Sequence, residues 1–184
     1  MAFNVNEIKN QLVGGGARPT LFQVQITNPI NGTGDAKVPF MAKAAQLPAS
    51  NLGVIEVPYF GRKIKVAGDR TFEEWTVTVI NDEDFLIRNS MEEWMAAINT
   101  HEGNVRSPDA GPMQYKGNDA TVTQFGKDGT PLRTYSFRNI FPTVVAPIEL
   151  AWDSNDTIEE FSVTFQYDYW QVTGGNTGLA GTNA

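Results

Sequence analysis

Three pairs of adjacent carboxylates, Glu73-Glu74, Glu92-Glu93 and Glu159-Glu160, are the residues best suited to acid–base chemistry. Two carboxyls cleave a glycoside only when both reach the same bond. Glu73-Glu74 and Glu159-Glu160 lie in segments of strand pattern, where neighbours point to opposite faces. They therefore read as solvated or interface charges. Glu73 shares a side with Trp75 and Val77, which puts it at a strand entry or beside a cation. The one histidine, His101, ends a helical pattern, where the helix dipole favours a cationic imidazole. No GxSxG serine is present for it to orient. Asp153, Asn155 and Asp156 form a compact acidic turn without the twelve-residue spacing of a calcium loop. No Lys-Ser/Thr follows Gly14-Gly15-Gly16, so that run is no phosphate loop. The 0 cysteines exclude disulfides, thiolate metal sites and cysteine nucleophiles. No catalytic, cofactor or metal residue is expected, and the chain does not read as an enzyme.

Two groups of residues point to contact instead. Arg62, Lys63 and Lys65, followed by Asp69 and Arg70, form the densest basic cluster. It suits either a surface for an acidic partner or a strand edge guarded by lysines. Trp152, Tyr167, Tyr169 and Trp170 could stack on sugars, but alternating aromatics more often fill a core.

The elements that must position these residues follow from period two. Apolar and polar residues alternate over Leu21–Thr27, Glu73–Ile80 and Thr157–Val172. In the last, Phe161, Val163, Phe165, Tyr167 and Tyr169 share one side. Val38–Gln46, Val54–Tyr59, Arg62–Val66, Ala120–Phe125, Leu132–Ile140 and Val144–Leu150 complete a set of about eight strands. Asp128-Gly129 marks a hairpin turn. A single segment, Asp84–His101, has helical spacing, with Ile87, Met91, Trp94 and Ile98 on one face and Glu92, Glu93 and Asn99 towards water. Asp82 or Asp84 could cap it, and Gly103 could end it. The expected fold is mainly β, a β-barrel or sandwich with one flanking α-helix. Residues 1–16 form an N-terminal arm jointed at the triple glycine, 17–172 the body, and 173–184 a flexible tail.

The 184 residues carry 21 acidic and 14 basic side chains, a formal charge of −7. Their 41% hydrophobic and 19% charged content excludes a disordered chain. The acidic balance argues against a sequence-independent grip on DNA phosphates. No run approaches the ~20 apolar residues of a membrane helix. The start MAFNVNEIKN is too polar for a signal peptide, so the expected address is the cytoplasm of the cell that makes the protein.

ARPTLFQVQI at 17–26, KAAQLPAS at 43–50, GRKIKVAGDRTFEEWTVTVINDE at 61–83, WDSND at 152–156 and DYW at 168–170 resemble the tail tube proteins of T-even-type contractile bacteriophages. The 61–83 block is the most specific part, and the likeness runs from about Ala17 to Trp170. The 28–37 connection and the segment after Trp170 depart from the family pattern. The resemblance implies hexameric rings stacked into a hollow tube inside a contractile sheath. The tube grows from a baseplate under a tape-measure protein, ends at a tail terminator, and passes genomic DNA without binding it specifically. The protein would be a structural part of the virion tail, assembled in the host cytoplasm. Tubes of type VI secretion or phage-tail-like bacteriocins are the nearest alternative, and a carbohydrate-binding sandwich a more distant one.

Rings and stacks need segments that reach beyond the subunit. The N-terminal arm and residues 51–70, with Arg62, Lys63, Lys65, Asp69 and Arg70, are the expected contacts. Both should be mobile in a free monomer. Glu74, Thr76 and Thr78 are expected bore-lining residues, in an acidic bore that repels phosphates; a continuously positive lining would contradict this.

Overall fold

The computed structural model describes residues 5–178 apart from 109, 112 and 118. The first four positions of the expected arm and the last six of the expected tail therefore lie outside the described residues.

Two four-stranded antiparallel sheets face one another. The first has the order β1 (Phe22–Gln25), β6 (Ala120–Phe125), β7 (Pro131–Arg138), β10 (Tyr169–Gly174). The second has the order β2 (Ala42–Ala45), β5 (Trp75–Ile80), β9 (Glu160–Gln166), β8 (Phe141–Val145). Among the described residues no ladder joins the sheets, so the fold is an open sandwich and not a closed barrel. Trp75 of one layer stacks on Phe137 of the other, with centroids 4.3 Å apart. Val24, Val77, Val122, Val163 and Phe165 fill the space around them and are almost wholly buried. Burying each large apolar side chain contributes about 1.5–3 kcal/mol.

Helix α3 (Leu86–Ile98) packs on this core through the predicted face: Ile87, Met91 and Trp94 are buried and Ile98 is half-buried. Trp94 Nε1 donates to the Tyr115 carbonyl at 2.6 Å. The helix is shorter than Asp84–His101 at both ends. Phe85 precedes it at φ 51, and the Asp84 carboxylate accepts from the Leu86 amide at 3.1 Å. Asn99 then turns to extended backbone, so the helix stops before Gly103.

Two further helices are short. Helix α1 (Val5–Gln11) buries none of its residues, and Gly14, Gly15 and Gly16 all adopt positive φ after it. Helix α2 (Val38–Met41) occupies the first half of a segment that alternation assigns to strand, because the chain must bend before entering β2.

The continuous strand expected over Thr157–Val172 is two strands in different sheets. The break falls at Tyr167-Asp168, where the Asp168 amide donates to the Arg138 carbonyl at 3.0 Å. Lys116 and Asn139 hold the Asp168 carboxylate at 3.2 and 2.5 Å. The alternation flips there. Tyr167 faces the core, but Tyr169 is exposed and Trp170 and Val172 turn inward. The predicted Val144–Leu150 strand is shifted too, to the span of β8, and the chain beyond Ala146 is loop.

The 28–37 connection is pinned by a buried polar cluster. Asn28 Nδ2 donates to both the carbonyl and Oγ of Ser90 at 2.9 Å, and Ser90 Oγ donates to the Asn31 carbonyl at 2.6 Å. Lys37 bridges Asp82 and Asp84. Those hydrogen bonds raise the Lys37 ammonium and lower the Asp84 carboxyl.

Candidate functional site: an uncovered hairpin

Among the described residues, strands β3 (Asn51–Tyr59) and β4 (Arg62–Thr71) pair only with each other. Every residue of the two strands is exposed except Gly68, which is half-buried. An isolated hairpin is marginal in water, and among the described residues no layer of the chain lies beneath this one.

Its register sorts the side chains. Ile55 faces Val66 and Val57 faces Ile64, so one side is an apolar stripe that ends near the tip where Tyr59 faces Arg62. Glu56 faces Lys65 and Pro58 faces Lys63 on the other side. Lys63 Nζ lies 2.6 Å from Glu56 Oε2. Near the base Gly68 and Asp69 together oppose Gly53, giving a bulge between the Leu52–Arg70 and Val54–Ala67 pairs. Asn51 Nδ2 donates to Glu73 Oε1 at 2.5 Å there.

The tip is a two-residue turn, Phe60-Gly61, with φ of 42° and 81°. Two successive positive φ values match the right-handed twist of a hairpin. Glycine adopts this freely, whereas a bulky residue there is strained. Phe60 nevertheless holds that position at 92% exposure.

The basic residues singled out in the sequence thus share one hairpin but not one face. Lys63, Lys65 and Arg70 lie on the side of Glu56, and Arg62 lies beside Tyr59. What the sequence reading missed is the apolar stripe beside them. Its signal was present in Val54–Tyr59 and Ile64–Val66, but alternation does not say whether a face is covered by its own chain.

Glu74 is exposed just before β5, and Thr76 and Thr78 lie on the outward, half-buried side of that strand. Thr76 and Thr164 hydroxyls meet at 3.2 Å. The other sheet repeats the device with Thr123 and Thr134 at 3.1 Å. Both layers therefore turn polar, hydroxyl-rich faces outward.

The remaining candidates do not converge. His101 sits in an exposed turn. Of the aromatics considered for sugar stacking, Tyr167 is buried against Phe137 and Trp170 packs on Phe72 and Tyr135. Burial, with the nearby Glu73 carboxylate, raises the Tyr167 phenol to about 12. Trp152 is wholly exposed in a separate loop, so the four rings form no common platform. Among the described residues no helix is long and apolar enough to cross a membrane.

A sandwich with a wedged helix and an uncovered hairpin is the architecture of a subunit made to be built into something larger. The chain belongs to the phage tail tube protein family, whose description matches residues 17–173. It is 40% identical to the tail tube protein of Enterobacteria phage T4 over 159 residues, 86% of this chain and 93% of that one. The tail tube protein of Serratia phage KSP90 is 29% identical over 168 residues, 89% and 93% of the two chains. Among solved structures, the cap that terminates the anti-feeding prophage tube shares the fold at TM-score 0.64 and 20% identity, covering 94% of this chain and 99% of that one. The sheath–tube complex of an extracellular contractile injection system shares it at TM-score 0.58 and 17% identity, with the same coverage. As a tail tube protein of the T4-like kind, the chain is a structural component of the virion tail.

Proposed function

We propose that this chain assembles as hexameric rings that stack into a hollow tube inside a contractile sheath, and that the tube passes genomic DNA by geometry and charge without catalysis. The observation that carries this is the 51–71 hairpin, whose apolar stripe and basic flank are both uncovered within the subunit. Covering it with a neighbour removes exposed apolar surface and an exposed sheet edge together. The short outer strands β1, β2 and β8 are suited to continuing a sheet from one subunit to the next.

Residues 1–16 act as an arm on the 17–172 body, with 173–184 as a tail. Arg62, Lys63, Lys65, Asp69 and Arg70 set the register between subunits, since charge pairing fixes geometry more than it adds affinity. Glu74, Thr76 and Thr78 line the bore, where hydroxyls and carboxylates offer phosphates no cation to hold. The sheath, baseplate, tape-measure and tail terminator proteins are the partners, and assembly takes place in the host cytoplasm.

Negative-stain imaging of the purified protein, alone and with baseplate components, tests this reading. Rings or filaments with a central channel are expected. Single particles of one subunit at every ionic strength would reject it.

A further inference from the structure

The hairpin joins the sandwich through two irregular connectors, residues 46–50 going in and 72–74 coming out. Two loose connectors side by side would make a hinge on which the hairpin swings. Both are held instead. Trp75 Nε1 donates to the Gln46 carbonyl at 2.9 Å, and Trp170 Nε1 donates to the Ala49 carbonyl at 2.9 Å. Trp75 belongs to β5 in one sheet and Trp170 to β10 in the other, so the incoming connector is tied to both layers. Between the two held carbonyls lies Pro48, whose ring fixes its own φ and restricts Leu47 before it.

The outgoing connector meets the same indole. Phe72 packs edge-on against Trp170 with centroids 6.4 Å apart, and lies 6.1 Å from Tyr167. Glu73 Oε1 accepts from Asn51 Nδ2 at 2.5 Å, which closes the two roots on each other. The indoles are themselves fixed, Trp170 edge-on against Tyr135 at 5.4 Å and Trp75 stacked on Phe137 at 4.3 Å.

We propose that Trp75 and Trp170 are positioning residues that set the direction in which the hairpin leaves the sandwich, so that a free subunit presents it already aimed. A segment that swings before association and is fixed after it costs ordering entropy, and a pre-aimed one avoids most of that cost. The clamp fixes direction only, and the exposed ladder above it stays free to open. The role in assembly rests on the reading that a neighbouring subunit covers the hairpin.

Trp170→Phe tests this, because it keeps an aromatic ring against Phe72 and Tyr135 and removes the N–H that holds Ala49. The chain has 0 cysteines, so spin labels can be attached at Phe60→Cys on the tip and Val144→Cys on β8, both exposed. In the free subunit the distance between the labels should be single and narrow. Adding Trp170→Phe should broaden it while moving the denaturation midpoint little. Without labels, Trp170→Phe should raise the protein concentration needed for tubes by about fivefold. A distribution already broad in the parent, or equal widths with and without Trp170→Phe, would overturn the clamp whatever happens to assembly. A broadened distribution with an unchanged assembly concentration would overturn its role in assembly. Should Trp170→Phe not fold, the unaltered subunit still decides. Its Trp170 indole N–H should exchange with solvent far more slowly than that of the fully exposed Trp152, and equal rates would overturn the proposal. Failure of the unaltered protein to form tubes would reject the tube reading and leave the clamp, which is measured in the free subunit, to stand or fall on its own result.

Discussion

Lys63 Nζ sits 2.6 Å from Glu56 Oε2 on the polar side of the hairpin, and on the opposite side Val57 faces Ile64 with both side chains exposed. The ion pair joins two exposed side chains, so it adds little to the stability of the subunit. The apolar side has a different use.

If that side exists for a neighbour, a charge placed there should spare folding and stop assembly. Ile64→Asp or Val57→Asp is expected to change unfolding free energy by no more than about 0.5 kcal/mol. The same variants should abolish filaments in electron micrographs. Denaturant titration and imaging of one preparation check both halves.

Asn28 and Ser90 lie 62 positions apart and join the 28–37 connection to helix α3 in a buried polar cluster. Asn28→Ala leaves the amides of Ile30 and Asn31 without the side-chain oxygen they donate to. Orphaning buried polar groups costs about 1–3 kcal/mol. Thermal or denaturant unfolding of Asn28→Ala should show a loss in that range, and Ser90→Ala a smaller one, because the Ser90 carbonyl stays in place.

Alkali should destabilise the subunit through Tyr167. Its phenol is raised to about 12 by burial, with Glu73 adding to the shift, against about 10 in an unfolded chain. Between those values the folded chain keeps a proton that the unfolded chain has released. Its contribution is therefore fully present below about pH 10 and is lost as pH rises towards about 12. Denaturation midpoints should fall more steeply over that window in the unaltered protein than in Tyr167→Phe.

A bore that slides DNA depends on the absence of cations. Thr76→Lys with Thr78→Lys should leave the sandwich folded, since both side chains face outward. Purified tubes of this variant should retain DNA at low salt and release it as salt rises. Phage assembled from it should eject DNA more slowly. Equal retention by both tubes would remove these threonines from the bore.

Much of this was legible in the sequence because burial on one side of a strand writes itself as alternation. Trp75, Val77 and Val79 point inward and Thr76 and Thr78 outward, as read. The helical face of Ile87, Met91 and Trp94 was equally plain. Reading failed where the chain changes layer without changing its pattern. Tyr167 and Tyr169 keep the spacing of a single strand, yet the bonds made by Asp168 rotate the chain into the other sheet. The Asn28–Ser90 cluster was invisible because no periodicity links residues so far apart. Alternation likewise showed that the hairpin has an apolar side, but only the folded chain shows that side uncovered.

The central claim is that a neighbouring subunit covers the 51–71 hairpin, and amide hydrogen exchange measured on the free subunit and on assembled tubes tests it most directly. Hairpin amides should exchange rapidly in the subunit, where opening costs little, and become strongly protected in the tube, with β5 and β9 protected in both. Equal protection of residues 51–71 in subunit and tube would contradict the account.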